Sequence, residues 1–275
     1  MNEMPYSEDF AVALGIKESQ LGLNPQCEEE KWIRLKAHYI PSIAQDPVQQ
    51  EIVFSRFGAL YLPRTVQLWK SPPPPSGTRQ FGELAAADLV VYNAYDIMLE
   101  ALQGHPYFFK FMRTKNPEVI ELRRSMGAIL ARRLAARAPV WEAALKPGGP
   151  RAKYPLEEFR MDSPFPSVDC ATGCTQLLCT LLCYESRSDL EALSAEPAIK
   201  DTLVPILHTW ATRYRGRCLL GDTALRCEMI LTLNPLWLTM AAKMRKDNKV
   251  GEGLQCAYPL CTKEENLKKC SKLFY

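Results

Sequence analysis

Ten cysteines give this 275-residue chain its clearest capacity for chemistry, and two clusters of them stand out. The last stretch, CAYPLCTKEENLKKCSKLFY (256–275), holds Cys256 and Cys261 on either side of Tyr258-Pro259, with Cys270 farther on. A tight turn at Tyr258-Pro259 would bring two thiolates together as a zinc knuckle needs, because zinc draws its sulfurs into a tetrahedron from turns. Cys256, Cys261 and Cys270 are therefore the candidate metal ligands. The second cluster, CATGCTQLLCTLLC, carries Cys170, Cys174, Cys179 and Cys183. Leu177, Leu178, Leu181 and Leu182 lie among them and make this a buried helix, on which Cys174 shares a face with Leu178 and serves as a small hydrophobe.

Other reactive types are scattered. His38, His105 and His208 are far apart, and none belongs to HExxH or to a Cys–His nucleophile signature. GxSxG, Walker A and GxGxxG patterns are absent, so nothing in the sequence argues positively for catalysis. A basic segment, 113–137, holds Arg113, Lys115, Arg123, Arg124, Arg132, Arg133 and Arg137 and could meet phosphate. At 100° per residue, however, Arg133 and Arg137 fall inside the apolar stripe while Arg124 and Arg132 point away, so no single basic face is encoded and nucleic acid is not the expected partner.

The elements that must position these residues read as helices. Residues 1–45 are mixed, with Pro25 and Pro41 as breaks around the amphipathic EEEKWIRLKAHYI. Asp46-Pro47 is a cap and first-turn pair opening another helix. SPPPPSG (71–77) is a polyproline-type connector or a ligand for a proline-recognition domain. GELAAADLVVYNAYDIMLEALQG places Leu84, Ala87, Val91, Ala94, Tyr95, Met98 and Leu102 on one stripe, stopped by Gly104 and Pro106. The next helix starts after Asn116-Pro117 and runs to about Ala138, with Val119, Leu122, Met126, Ile129, Leu130 and Leu134 inward. Segments 169–184, 197–214 and 223–246 follow; Pro205 and Pro235 must kink the last two or split them. LVPILHTW (203–210) has the look of an armadillo-type core helix. With no alternating β-branched runs and no hairpin signal, the expected fold is all-α, an irregular helical bundle or an armadillo-like helical stack, with a short zinc-finger-like tail. The domain reading is a helical domain over 1–250, with a sub-boundary in the Pro/Gly-dense 146–167, followed by 251–275, which Gly251 and Gly253 free from the body.

The apolar fraction of 47% supports a core, and 34 basic against 31 acidic residues leave only +3, too near neutrality to argue for nucleic acid or membrane. MNEMPYSEDF has no apolar signal region, and LTLNPLWLTMAA (231–242) is too short to span a bilayer. These readings predict an intracellular protein of cytoplasm or nucleus, with no membrane association and with reduced thiols.

Residues 256–275 resemble the start of a MYND-type zinc finger as found in fungal MYND proteins. LKKCSK (267–272) matches the family's LKKCSKC run, and Phe274-Tyr275 match its aromatic pair. By that likeness Cys256 and Cys261 belong to a first zinc site and Cys270 opens a second. Leu273 occupies the second knuckle cysteine's place and the later Cys and His ligands are absent, so the segment reads as a truncated finger, with zinc implied but its site incomplete. The resemblance implies a noncatalytic protein-interaction or adaptor protein whose relatives bind short, often proline-containing peptides. Two alternatives stand beside it. One is a SET-type lysine methyltransferase relative, for which the chain shows neither an Asn-His motif nor a strand-rich segment. The other is a nucleic-acid binder through 113–137.

Overall fold

The computed structural model describes residues 5–22, 24–73, 86–149 and 166–247. Every regular element among them is helical and no strand occurs among them, so the chain is all-α. In chain order the elements are α1 (Ser7–Ala13), α2 (Glu28–Ile33), a π-helical turn (Arg34–Tyr39), α3 (Ile40–Ala44), α4 (Pro47–Lys70), α5 (Ala86–Val91), α6 (Ala94–Leu102), α7 (Pro106–Arg113), α8 (Pro117–Arg123), α9 (Met126–Leu145), α10 (Pro166–Leu182), α11 (Arg187–Ser194), a second π-helical turn (Ala198–Leu203), α12 (Val204–Tyr214), α13 (Leu219–Leu231) and α14 (Pro235–Asp247). The connector 71–77 and the sub-boundary 146–167 lie mostly outside the described residues, and 251–275 lies wholly outside them.

Proline acts in two ways here. At α4, α7, α8 and α14 it sits at the first helical position behind a capping side chain. Asp46 accepts from the Val48 and Gln49 amides, His105 from Tyr107, Asn116 from Glu118 and Val119, and Asn234 from Leu236. The missing Pro N–H is one that the first turn leaves unpaired in any case. Elsewhere proline lies inside a helical run. Pro41 and Pro139, expected to end helices, do not, and Pro205 leaves its segment helical throughout, whereas Pro235 separates α13 from α14. Pro41, Pro63, Pro139 and Pro205 are all exposed, so each ring lies on the solvent side of its helix. Before Pro41 and Pro205 the backbone widens into the π-helical turns, which relieves the clash of the ring with the carbonyl four residues back.

Two expected continuous helices are broken. The first divides at Tyr92-Asn93, where the Asn93 side chain accepts from the Tyr95 and Asp96 amides while Asp96 accepts from the Asn93 amide. That reciprocal pair is a capping box and starts α6. Leu84 and the Ala87 side chain lie outside the described residues, whereas Val91, Ala94, Tyr95, Met98 and Leu102 are buried as expected. The second divides at Arg124-Ser125, with Ser125 in the left-handed region at φ 61°. Because of that break α8 buries none of its residues, so Val119 and Leu122 are not core positions. Ile129 is only partly covered, while Met126, Leu130 and Leu134 are buried. Helix α11 was not anticipated.

The described chain forms two compact units, divided at Asp96/Ile97 and again at Arg124/Ser125. In the unit holding α1–α4, α7 and α8, α1 packs on α4 through Phe10, which is fully buried with its ring 5.3 Å from Tyr39 and 6.2 Å from Phe54. The Lys70 ammonium closes the end of α8 by donating to the Leu122 and Arg124 carbonyls at 3.0 and 3.1 Å, a cation on the negative end of a helix.

In the other unit α9 packs on α5, α10 and α12, α10 on α13, and α13 on α12 and α14. Gly173 lets Tyr92 lie on α10: a Cβ there would come within 2.3 Å of the tyrosine oxygen. Thr175 and Thr223 share a buried hydroxyl contact of 2.8 Å between α10 and α13. Glu142 of α9 receives Trp210 and both terminal nitrogens of Arg213 from α12, at 2.7 to 3.0 Å.

Candidate functional site

The tail ligands Cys256, Cys261 and Cys270 lie outside the described residues. Among the described residues no group of His, Cys, Asp and Glu is placed to hold a metal ion.

The α10 cysteines are buried, as expected of small hydrophobes: Cys170 and Cys174 fully, Cys179 and Cys183 nearly so. A partner that the sequence reading missed is Cys227 of α13, whose thiol donates to the Thr175 carbonyl at 3.2 Å and also meets Cys179. Cys183 hydrogen-bonds the Cys179 sulfur and by itself favours the thiolate. The Cys227 thiol and burial outweigh it and push Cys179 up to about 12. Cys183 is raised as well, by its bond with Cys179 and by burial. Nucleophilic attack and metal ligation both use the thiolate, so these sulfurs are held in their unreactive form.

A second cluster pairs residues some fifty positions apart, which no local motif could have shown. His105 at the start of α7 is 6% exposed. Its Nε2 lies 3.1 Å from Ser55 Oγ and 3.2 Å from Glu51 Oε1, both of α4, and Ser55 also donates to Glu51. Serine, histidine and carboxylate invite comparison with a hydrolase triad, but the connections are wrong for one. In a triad the carboxylate holds Nδ1–H and the free Nε2 takes the serine proton. Here Nδ1 accepts the Tyr107 amide at 3.3 Å, so the neutral ring carries its proton on Nε2 and has no lone pair there for Ser55. Burial lowers the His105 pKa and the Glu51 carboxylate only partly offsets it. His105 is a neutral helix cap tied to α4.

The basic segment is largely engaged within each unit. Arg123 donates to the Phe111 carbonyl and Arg124 pairs with Glu121 at 2.8 Å. Arg132 makes a two-pronged pair with Glu196 at 2.6 and 2.9 Å. Arg137 meets the buried Asp88 at 2.6 Å, and the Trp141 indole shares that carboxylate at 2.8 Å. Each of these four guanidiniums is engaged by a group of its own unit.

A surface feature remains on α14. Its placement begins in LTLNP: Leu233 takes a left-handed φ of 57°, its amide donates to Ile230, and the Asn234 amide reaches back to the Met229 carbonyl at 2.9 Å. That is a Schellman end to α13, and Asn234 then caps α14. Helix α14 packs on α13 with Ala241 buried, while Leu236, Met240 and Met244 are 67%, 41% and 46% exposed. Spaced four apart, these three form one apolar line along the outer face. Isolated exposed hydrophobes are ordinary; three in line on one helix make a candidate contact surface. The sequence places this stretch in the helical segment 223–246 and makes 231–242 too short to span a bilayer. No helix among the described residues is long and apolar enough to cross a membrane.

Comparison with protein-family models, with curated proteins and with solved structures finds no match to this chain.

Proposed function

We propose that this chain is a noncatalytic protein-interaction module, an adaptor whose helical body, arranged as an irregular bundle or armadillo-like stack, presents the binding surface. The observation that carries the reading is the apolar row Leu236, Met240 and Met244 on α14. It is supported by the wiring of the two clusters best equipped for chemistry, His105 with its proton on the wrong nitrogen and the Cys179 and Cys183 thiols held protonated.

The tail 251–275, in this reading, is an incomplete MYND-like finger, and the setting is the cytoplasm or nucleus. Its donor set does not fit a closed zinc site. Cys256, Cys261 and Cys270 supply three thiolates where a structural site takes four ligands, and Leu273 brings no donor atom.

Affinity capture with the full chain, compared with a Cys256→Ser/Cys261→Ser/Cys270→Ser variant, tests both halves of the proposal. The same specific partners are expected from each, with less than one zinc per chain by elemental analysis. Loss of every partner in the variant, or a full zinc equivalent that the variant loses, would move the function to the tail. No specific partner from either would refute the interaction reading.

A further inference from the structure

Resting on that interaction reading, we infer that the outer face of α14 is a docking strip for a short, acidic amphipathic helix of a partner protein. The spacing suits a helix. Leu236, Met240 and Met244 recur every four residues, about 6 Å apart along the axis, the same rise that separates anchor residues at i, i+4 and i+8 of an apposed helix. Two of the three anchors are methionine, whose unbranched thioether adapts to the shape laid against it.

Charge specifies the sign of the partner. From Pro235 to Lys246 the helix contains no acidic residue, while Lys243, Arg245 and Lys246 stand against Asp247 alone. Lys243 is exposed beside Met240 and Met244 and has no ion-pair partner among the described residues. Carboxylates of neighbouring elements are committed elsewhere. Glu228 of α13 holds His208 at 2.8 Å, Asp222 accepts the Gly216 amide, and Glu185, after α10, accepts the Gly127 amide at 2.9 Å. A partner with carboxylates flanking its apolar row gains pairing that a neutral or basic one does not.

Size argues against a second copy as the occupant. A 13-residue helix presents a face about 20 Å long and 10 Å wide, on the order of 200 Å², whereas a stable dimer buries about 800 Å² on each partner. A bilayer suits it less well, because Thr239 and Lys243 are exposed close against the row, and an interfacial helix needs a broad apolar face.

The test uses the full chain and a labelled, designed 16-residue helical peptide with Leu at three- and four-residue spacing and Glu at most other positions, beside versions carrying Gln or Lys for Glu. Fluorescence anisotropy should show saturable binding of the Glu peptide that weakens with salt, at least tenfold tighter than the Lys version. Met240→Glu should weaken it at least tenfold, and Lys243→Glu at least threefold, with circular dichroism and melting unchanged because both side chains are exposed. Equal affinity of the Glu and Lys peptides, or undiminished binding by Met240→Glu, overturns the inference. So does absence of peptide binding together with sedimentation of the chain on phosphatidylserine vesicles, or with a dimer in ultracentrifugation that Met240→Glu dissolves. If Met240→Glu retains the specific partners of the wild-type capture, the strip is wrong while the interaction reading stands. A wild type that captures no partner fails that reading first.

Discussion

Gly221 offers the sharpest test of the packing that carries α14, because two ordinary expectations about it have opposite signs. It lies in the first turn of α13, where replacing glycine by alanine normally stabilises a helix by up to about 1 kcal/mol. A Cβ at this position would stand 2.2 Å from the Tyr214 carbonyl carbon and 2.4 Å from the Arg215 nitrogen. Carbon contacts are comfortable only near 3.5–4.0 Å, and the obstructing atoms are backbone at the end of α12, so no side chain can swing aside. Helix α13 would have to retreat by more than about 1 Å from the turn that Gly216 makes at φ 67°. Overpacking of this kind costs about 1–3 kcal/mol, occasionally more. With immovable neighbours the upper end applies, and subtracting the propensity gain leaves a net loss of about 2 kcal/mol. That corresponds to a fall in Tm of roughly 4–8 °C. Thermal melts by circular dichroism and a denaturant midpoint with unchanged m-value would measure it. Gly104→Ala is the control: nothing lies within 4 Å of its Cβ, and its stability should stay within about 0.5 kcal/mol of wild type. A Gly221→Ala protein that melts at or above the wild-type temperature would refute the close approach of α13 to α12.

His105 predicts a pH dependence. Its folded pKa is depressed by burial below the ordinary value near 6.5, so the unfolded chain binds the proton more readily and stability falls as pH drops below about 6.5. His105→Asn keeps a capping side chain and should flatten that part of the urea-midpoint profile; an unchanged slope would show that His105 is not its source. The buried pair Asp88–Arg137, with side chains 5% and 19% exposed, should cost about 3–5 kcal/mol when only Asp88 is removed as Asp88→Ala. Asp88→Leu/Arg137→Leu should recover much of that loss, whereas Arg132→Ala, at the more exposed pair with Glu196, should cost no more than about 1 kcal/mol. Additive losses at Asp88 and Arg137 would contradict the coupling.

The all-α class was legible because apolar spacing repeats with the helical period and nothing competes with it. Helix starts were legible where a cap and a proline adjoin, as at Asp46-Pro47 and Asn116-Pro117, since both effects act within one turn. The capping box of Asn93 and Asp96 was missed, because the unbroken apolar run across it masked the local signal. Interior prolines were not legible: the tolerated rings are all exposed, and exposure is a tertiary property. His105 was beyond local pattern altogether, its partners Glu51 and Ser55 being set by how α4 lies against α7.

The α14 row shows most clearly why sequence alone misplaces such a surface. Leu236, Met240 and Met244 repeat at a spacing that reads as the inward stripe of an ordinary amphipathic helix. Inward is set, though, by what α13 offers, and the Schellman turn at Leu233 fixes the direction from which α14 departs. Leu233 holds its left-handed φ at a cost of about 1–2 kcal/mol that a glycine would avoid, so that geometry is imposed by the structure around it. With the turn so set, Ala241 is buried against the body and Trp237 and Leu238 are partly covered, while Leu236, Met240 and Met244 are carried outward. A helix that exposes two methionines and a leucine in one line leaves part of its apolar burial unmade. Covering that row would remove apolar surface from water at about 25 cal/mol per Å², and this unspent burial, lying beside a Lys243 that has no ion-pair partner among the described residues, is the driving force that the proposed docking strip needs.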